Sequence, residues 1–215
     1  MSKTTDLLIC PELAPKVFSG DKTATRRTSG FDDINLVPDD FRLSYVGTDH
    51  NEQWGASLEQ RSPEHFYWFV ACPYGQPGDL LRFLTTWAVD PKYDQVKPLD
   101  LPRHVSVWTA FEPKAPLPRQ GIGKKRAGRF MPLWMRKRLP VYELAGVGVE
   151  RVQQIQLCDL EAEGFPPNNE QGWDTTEPFR LLWDRLNGEG SWAANPWNWV
   201  LRFQRVQAER MVASA

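Results

Sequence analysis

Proline limits the structure of this chain more than any other residue type. The 215 residues include 18 prolines, which run from Pro11 to Pro196. Each proline fixes φ and removes a backbone hydrogen-bond donor, so long helices are disfavoured and many turns are expected. The length suits one domain with insertions. The apolar share of 41% and the ten tryptophans are typical of a chain that buries a core.

Several apolar patterns predict strands, and two predict helices. In the segment 197–204 apolar and aromatic residues alternate with others, which is typical of a strand. Four further strands are predicted at Leu7–Cys10, His65–Val70, Leu80–Trp87 and Val141–Val152. A short helix is expected to begin at Pro11 and end at Gly20, and a second contains the i, i+3, i+4, i+7 set Phe179, Leu182, Trp183 and Leu186. These elements predict a small α+β domain built on a mixed β-barrel.

In two long segments the apolar residues follow no sustained helical or strand period. Residues 28–65 are polar and are interpreted as a loop or insertion with one strand near Phe41–Val46. Residues 88–130 are rich in proline and basic residues, and we expect an exposed excursion there. A strong turn signal, Tyr74–Asp79, precedes the strand at Leu80.

The charge distribution favours phosphate binding at one place. The net charge is −1, yet residues 119–138 contain eight Lys or Arg and no Asp or Glu. A local basic strip can bind phosphates, and Phe130 and Trp134 lie within it as stacking on bases requires. A solvated basic loop fits the same pattern. The candidate nucleic-acid-binding residues are Lys124, Lys125, Arg126, Arg129, Arg136, Lys137 and Arg138.

Cysteine usage and hydropathy exclude several classes of protein. Cys10, Cys72 and Cys158 are an odd count without CxxC spacing, so neither a disulfide framework nor a zinc site is predicted. The three histidines adjoin no metal-ligand pattern, and we expect no cofactor. The N-terminus lacks a signal-peptide pattern, and no apolar run approaches 18 residues. A soluble, cytoplasmic protein without a membrane partner is expected.

The stretch Gly20–Arg27, with the sequence GDKTATRR, carries the clearest potential chemistry. If it is extended, Thr23, Thr25 and Arg27 share one face and Lys22 and Arg26 lie on the other. A bend would bring the Lys22 amine to the Thr25 hydroxyl, which would pair a nucleophile with a base. A polar loop that happens to be basic is the plain alternative.

Four stretches, in order, resemble the ASCH domains of the PUA-like superfamily, especially phage and prophage versions. They are Gly20–Arg27; Tyr74–Leu80 with Thr86-Trp87; Met131–Trp134; and a C-terminal block that includes Val149–Val152, Glu161–Gly164, Leu181–Gly188 and Gly190–Val200. The resemblance implies a PUA-like mixed β-barrel with short flanking helices. It implies a single domain over residues 1–215, with insertions near 28–65 and 88–128.

The resemblance also implies a function. ASCH domains are inferred to bind RNA or nucleotides, and some small bacterial members are amidohydrolases that deacylate N4-acetylcytidine. Carried over by motif, the catalytic residues of those members correspond to Lys22, Thr25 and Glu163. The implied substrate-binding residues are Thr23, Arg26, Arg27, Trp87, Trp134 and Trp192.

The chain also departs from the family pattern. Phage relatives often read Arg-Glu-Thr-Trp where this chain has Leu84–Trp87, and Pro-Arg-Trp where it has Pro132–Trp134. Three functions are therefore expected as alternatives: a module that binds RNA or a modified nucleotide, an N4-acylcytidine amidohydrolase, and a phage accessory protein that binds a host protein. A structural alternative also stands, in which Lys22 and Glu163 form only an ion pair and Thr25 serves β-propensity.

Overall fold

A computed structural model describes residues 2–112, 121–165 and 176–206. The strands are β1 (Thr4–Leu8), β2 (Ala24–Arg27), β3 (Phe41–Thr48), β4 (Trp54–Gln60), β5 (Tyr67–Ala71), β6 (Leu80–Leu84), β7 (Trp87–Ala88), β8 (Trp108–Thr109), β9 (Tyr142–Arg151) and β10 (Trp197–Arg205). The α-helices are α1 (Ala14–Ser19), α2 (Leu133–Arg136), α3 (Leu157–Ala162) and α4 (Glu177–Asn187). These elements confirm the expected α+β class.

The main sheet contains five strands in the order β1-β6-β9-β10-β2. β1 and β6 are parallel, and the other neighbouring pairs are antiparallel. β10 lies between β9 and β2, so Trp199 pairs with Val149 on one side and with Arg27 on the other. The two long strands predicted near the C-terminus are thus confirmed as β9 and β10.

The main sheet is strongly curled. Five strands in a flat sheet would place the two edge strands about 19 Å apart, since neighbouring strands are about 4.8 Å apart. However, Nη2 of Arg27 on edge strand β2 donates to the carbonyl oxygen of Leu8 on edge strand β1, at 2.7 Å. An arginine side chain cannot span a flat sheet, so the edges curve towards each other. No backbone pairing joins β1 to β2 in the described chain, and the described strands leave the sheet open there.

The core lies inside this curl and contains stacked aromatic rings. Phe83 lies 4.6 Å from Phe203 and 5.3 Å from Tyr142, ring centroid to ring centroid. The aromatic face predicted for β10 is buried, as expected. On the opposite face of β10, Asn198 and Val200 are buried as well, whereas Arg202 and Gln204 are exposed. A separate apolar cluster lies around α3 and α4 and contains Val152, Ile155, Leu160, Phe179 and Trp183.

Residues 28–65 contain more structure than the sequence predicted. The expected strand near Phe41–Val46 is present as β3, but β4 follows it, and β3, β4 and β5 form a three-stranded antiparallel sheet. β4 escaped prediction because both of its faces are covered: Leu58 is buried in the core, and Ser57 and Glu59 are buried as well. Arg42 and His65 bind the Glu59 carboxylate, which satisfies this buried charge.

The expectation of an exposed excursion at residues 88–130 is only partly right, because several residues of the described part are buried. A small second core contains Leu84, Trp87, Val89, Leu101, Val105, Met131 and Met135. β8 pairs with β7, and short 3-10 turns begin at Pro91 and Pro98. The prolines therefore form turns around a packed cluster. Residues 113–120 lie outside the described part.

The two predicted helices are present, with one shifted start. α1 begins at Ala14 rather than at Pro11, and Pro15 occupies its first turn, where the missing N–H has no cost. Gly20 ends it with φ of +91°, as predicted. α4 matches the predicted period, and Gly188 follows its last residue. Among the described helices, none is long and apolar enough to cross a membrane.

Candidate functional site

Three backbone hydrogen bonds hold the Gly20–Arg27 stretch in place. The N–H of Lys22 donates to Lys16 in α1 at 2.9 Å, and the N–H of Thr23 donates to Ala162 at the end of α3 at 2.8 Å. The N–H of Phe203 in β10 donates to the Thr23 carbonyl at 2.8 Å. The stretch thus leaves α1, crosses the end of α3 and enters the sheet as β2.

The alternation predicted for this stretch holds for the four strand residues. Thr25 pairs with Leu201 and Arg27 with Trp199, so both share the core face of β10. Arg26 pairs with Val200, on the face that carries α3. Adjacent arginines therefore enter different surroundings.

Lys22 and Glu163 form a fully buried ion pair. The Lys22 ammonium donates to the Glu163 carboxylate and, at 3.0 Å, to the Glu163 carbonyl oxygen. Glu163 follows α3 directly, and Gly164 turns the chain with φ of +88°. Burial lowers the pKa of Lys22, and the charge and hydrogen bond of Glu163 offset this effect only in part.

Arg26 extends this pair into a larger ionic cluster. Its Nη1 donates to Glu163 at 3.1 Å, its Nε donates to Glu150 at 2.8 Å, and Nη2 lies 3.3 Å from Asp159. Burial opposes the charged form of Arg26, but Glu163 and Glu150 outweigh it and raise the pKa of this guanidinium. Arg202 also donates to Asp159, at 2.7 Å.

We call these six residues the ionic cluster: Lys22, Arg26, Arg202, Glu150, Asp159 and Glu163. Three cations face three carboxylates, so the cluster is neutral when all six are ionised. Buried charges are tolerated only when they are paired in this way.

A cleft of about 480 Å³ opens beside the cluster, between the two edges of the curled sheet. The ends of β1 and β2, the β6–β7 turn and α4 form its walls. Its lining includes Thr25, Arg26, Arg27, Thr28, Ser29, Thr85, Thr86, Gly128, Glu163, Phe179, Leu182, Trp183 and Asn187. The polar groups of the cleft lie mainly on the sheet side, where Leu8, Ile9 and Leu84 also line it, and the α4 side is largely apolar.

Three buried polar atoms in residues that line the cleft have no hydrogen-bond partner in the described chain. They are Nε of Arg27, Oγ1 of Thr85 and Nε1 of Trp183. Buried polar groups in folded proteins are nearly always bonded, and an unsatisfied one costs about 1–3 kcal/mol.

Arg27 differs from Arg26 in its partners. Its Nη2 binds the Leu8 carbonyl, and no carboxylate of the described residues lies within 4.0 Å of its guanidinium. Burial lowers the pKa of Arg27, although the charges of Tyr74 and Glu163 act in the other direction.

The structure brings most of the predicted motif residues together. Thr25, Arg26, Arg27 and Glu163 all line the cleft. Lys22 is absent from the lining, because its ammonium lies behind the Glu163 carboxylate. The structure does not show the bend that would bring the Lys22 amine to the Thr25 hydroxyl. The Lys22 ammonium contacts Glu163 instead.

The other predicted substrate-binding residues lie elsewhere. Thr23 is exposed, next to the end of α3. Trp87 is fully buried in the second core, with its indole N–H on the Ala127 carbonyl. The Arg138 guanidinium lies over the Trp134 ring, 4.9 Å from the ring centroid. Trp192 packs against the outside of the cleft wall, 6.0 Å from Phe179.

The basic strip separates into exposed and engaged residues. The exposed ones are Lys124, Lys125, Arg129, Lys137 and Arg138. Arg126 donates to three backbone carbonyls in residues 93–96, and Arg136 binds Asp6 and two carbonyls. These two arginines hold the second core and the sheet edge together. Three of the exposed ones lie over aromatic rings, Lys125 over Trp108, Arg129 over Phe130 and Arg138 over Trp134.

Sequence reasoning missed three kinds of site residue. Trp183 was assigned to the core because it obeys the helical period, yet it lines the cleft as well. Thr85 was noted only as a departure from the family pattern. No local pattern indicated a role for Glu150 and Asp159, because that role depends on contacts with Arg26, which is distant from both in the sequence.

No family model, curated protein or solved structure matches this chain. The resemblance to ASCH domains therefore rests on the four ordered stretches alone.

Proposed function

We propose that the cleft binds a nucleotide or a nucleotide unit of RNA, as the resemblance to ASCH domains implies. The observation that carries this proposal is the meeting of Thr25, Arg27 and Glu163 at one cavity of about 480 Å³. Two stretches of the chain that resemble the family supply these side chains. The cavity lies within the usual range of small-ligand sites, about 300–1,000 Å³.

The two sides of the cleft suit the two parts of such a ligand. The α4 side presents Phe179, Leu182 and Trp183, against which a planar base packs. The sheet side presents hydroxyl, guanidinium and carboxylate groups that recognise the edge of a base or a sugar. We also propose that the curled sheet is an open form of the PUA-like barrel, with the cleft at the opening between its edges.

Isothermal titration calorimetry with cytidine and cytidine 5′-monophosphate tests this proposal. We expect saturable binding of at least one of them. Thr25→Val should weaken that binding about five-fold, because one hydrogen bond contributes about 1 kcal/mol. Thr48→Val is the matched control, since Thr48 is an exposed strand threonine in the other sheet. Absence of binding by both ligands, or equal losses in the two variants, would overturn the proposal.

Hydrolysis of an N4-acyl cytidine is the second candidate. The contact between Lys22 and the cleft carboxylate Glu163, with Thr25 in the same cavity, favours it. In this reaction the amide C–N bond breaks, the acyl carbon gains an oxygen from water, and the amine gains a proton. Lys22 does not line the cleft, so binding is the better supported function. Release of acetate from N4-acetylcytidine, lost in Lys22→Ala, would favour hydrolysis instead.

A further inference from the structure

The cleft contains one cation without a partner. Arg26 and Arg27 are neighbours in β2, yet Arg26 lies among three carboxylates and Arg27 has none within 4.0 Å in the described chain. The remaining bond of Arg27 goes to a neutral carbonyl at 2.7 Å. Because a guanidinium stays protonated at every physiological pH, this charge is always present in the cleft.

Among the described residues, the one acid that lines the cleft is already paired with other cations. Of the residues that line the cleft, Glu163 is the sole acid, and Lys22 and Arg26 already pair with both of its oxygens. The electrostatic potential near Arg27 is therefore positive, and a low-dielectric wall strengthens it. An anion in the cleft would have no competing acid at Arg27.

Four residues with hydroxyl groups line the cleft together with Arg27. Thr28 and Ser29 follow it in the chain, and Thr85 and Thr86 belong to the β6–β7 turn. The Nε of Arg27 and Oγ1 of Thr85 have no partner in the described residues. A phosphate group accepts several hydrogen bonds at once, and arginine binds it through two parallel N–H groups.

We infer that the ligand carries a phosphate and that Arg27 binds this phosphate, while the base lies against the Trp183 side of the cleft. This inference rests on the proposed function and narrows it from nucleosides in general to phosphorylated ones. A free nucleotide and a phosphodiester within RNA present the same chemistry to Arg27.

Calorimetric titration with cytidine, cytidine 5′-monophosphate and inorganic phosphate tests this inference. We expect the monophosphate to bind at least ten-fold more tightly than cytidine. Arg27→Gln should bring the two affinities together, and Arg27→Lys should keep part of the difference. Arg180→Gln is the control, since Arg180 is exposed on α4 and pairs with Glu177. A short cytidine-containing RNA distinguishes the two sources of phosphate by its relative affinity.

Each outcome has a defined meaning. Equal binding of cytidine and its monophosphate by the unmodified protein would overturn the inference and leave the proposed function standing. A preference for the monophosphate that persists in Arg27→Gln would overturn the role of Arg27. Binding by neither compound would overturn the proposed function as well. Thermal unfolding with and without phosphate, at constant ionic strength, gives a second readout: phosphate should raise Tm in the unmodified protein and not in Arg27→Gln.

Discussion

At the scale of single residues, the partners of Arg26 and Arg27 depend on the face of β2 from which each side chain projects. Arg26 points towards α3 and finds three carboxylates, whereas Arg27 points into the curl of the sheet and finds a carbonyl. One residue of sequence separates a cation that is paired with three carboxylates from a cation that has no carboxylate partner in the described chain. This outcome follows from the period of two in a strand.

Removal of one member of the Lys22–Glu163 pair should be more harmful than removal of both. Lys22→Met deletes the ammonium and keeps the length of the side chain, so Glu163 stays buried with Arg26 as its remaining partner. We expect a loss of about 3 kcal/mol in the free energy of unfolding, in line with other broken buried pairs. The measurement is a urea unfolding curve at neutral pH.

The double variant Lys22→Met with Glu163→Gln supplies the control. It also removes the Glu163 charge, which has lost Lys22 as a partner in the single variant. At least part of the lost free energy of unfolding should therefore return. A loss below about 1 kcal/mol in Lys22→Met would contradict a tightly coupled pair.

At the scale of elements, the cleft exists because a turn in the 88–130 segment meets the main sheet very closely. A Cβ at Gly128 would lie 2.9 Å from the backbone of Leu84 and of Thr85. Glycine is therefore the residue that allows this turn to reach the β6–β7 connection and form a wall of the cleft.

Gly128→Ala should disturb both this contact and the cleft. The added methyl group meets backbone atoms, which cannot rotate away, so the turn or the β6–β7 connection must move. We expect a loss of about 1–3 kcal/mol in unfolding free energy, as for other overpacked sites, and weaker ligand binding. Gly146→Ala in β9 is the matched control, since its nearest atom would be at an ordinary 3.9 Å. Equal losses in the two variants would contradict the close contact.

At the scale of the whole molecule, the ionic cluster links α3 to three strands of the main sheet and should make stability depend on pH. Burial opposes ionisation of Asp159, but the hydrogen bond and charge of Arg202 and the charge of Arg26 outweigh it, so the pKa of Asp159 is lowered. The native state thus holds the proton less tightly than the unfolded chain, in which an aspartate has a pKa near 3.9. Its contribution is complete above about pH 3.9 and disappears as the pH falls through the native value.

Urea midpoints measured from pH 7 down to pH 2.5 check this prediction. Asp159→Asn should be less stable than the unmodified protein at pH 7, and the difference should shrink at the acid end. A difference that stays constant over this range would show that Asp159 makes no contribution through its charge.

The sequence predicted the parts of the fold in which one face is apolar and the other is not. The alternation in residues 197–204 and the helical period around Trp183 are confirmed as β10 and α4. β4 was missed because its buried Ser57 and Glu59 remove the alternation. In the cleft, the resemblance supplied Thr25 and Glu163, whereas Thr85 depends on a turn that no periodicity reveals. The ion pair between Lys22 and Glu163, stated as the structural alternative, is present and joins residues 141 positions apart. Only the resemblance brought these two residues together, because local patterns carry no information over that distance.

The position of β2 at the edge of the sheet also affects how the protein is made. Among the described strands, β2 pairs with β10 alone, and Arg26 meets Glu150 across 124 positions of sequence. At translation rates of about 5–20 residues per second, Arg26 waits about 6–25 s before this carboxylate is synthesised. During that time Lys22 and Arg26, which are buried in the folded protein, remain exposed to water. The ionic cluster beside the cleft is consequently completed only after β10, which carries Arg202, has been synthesised.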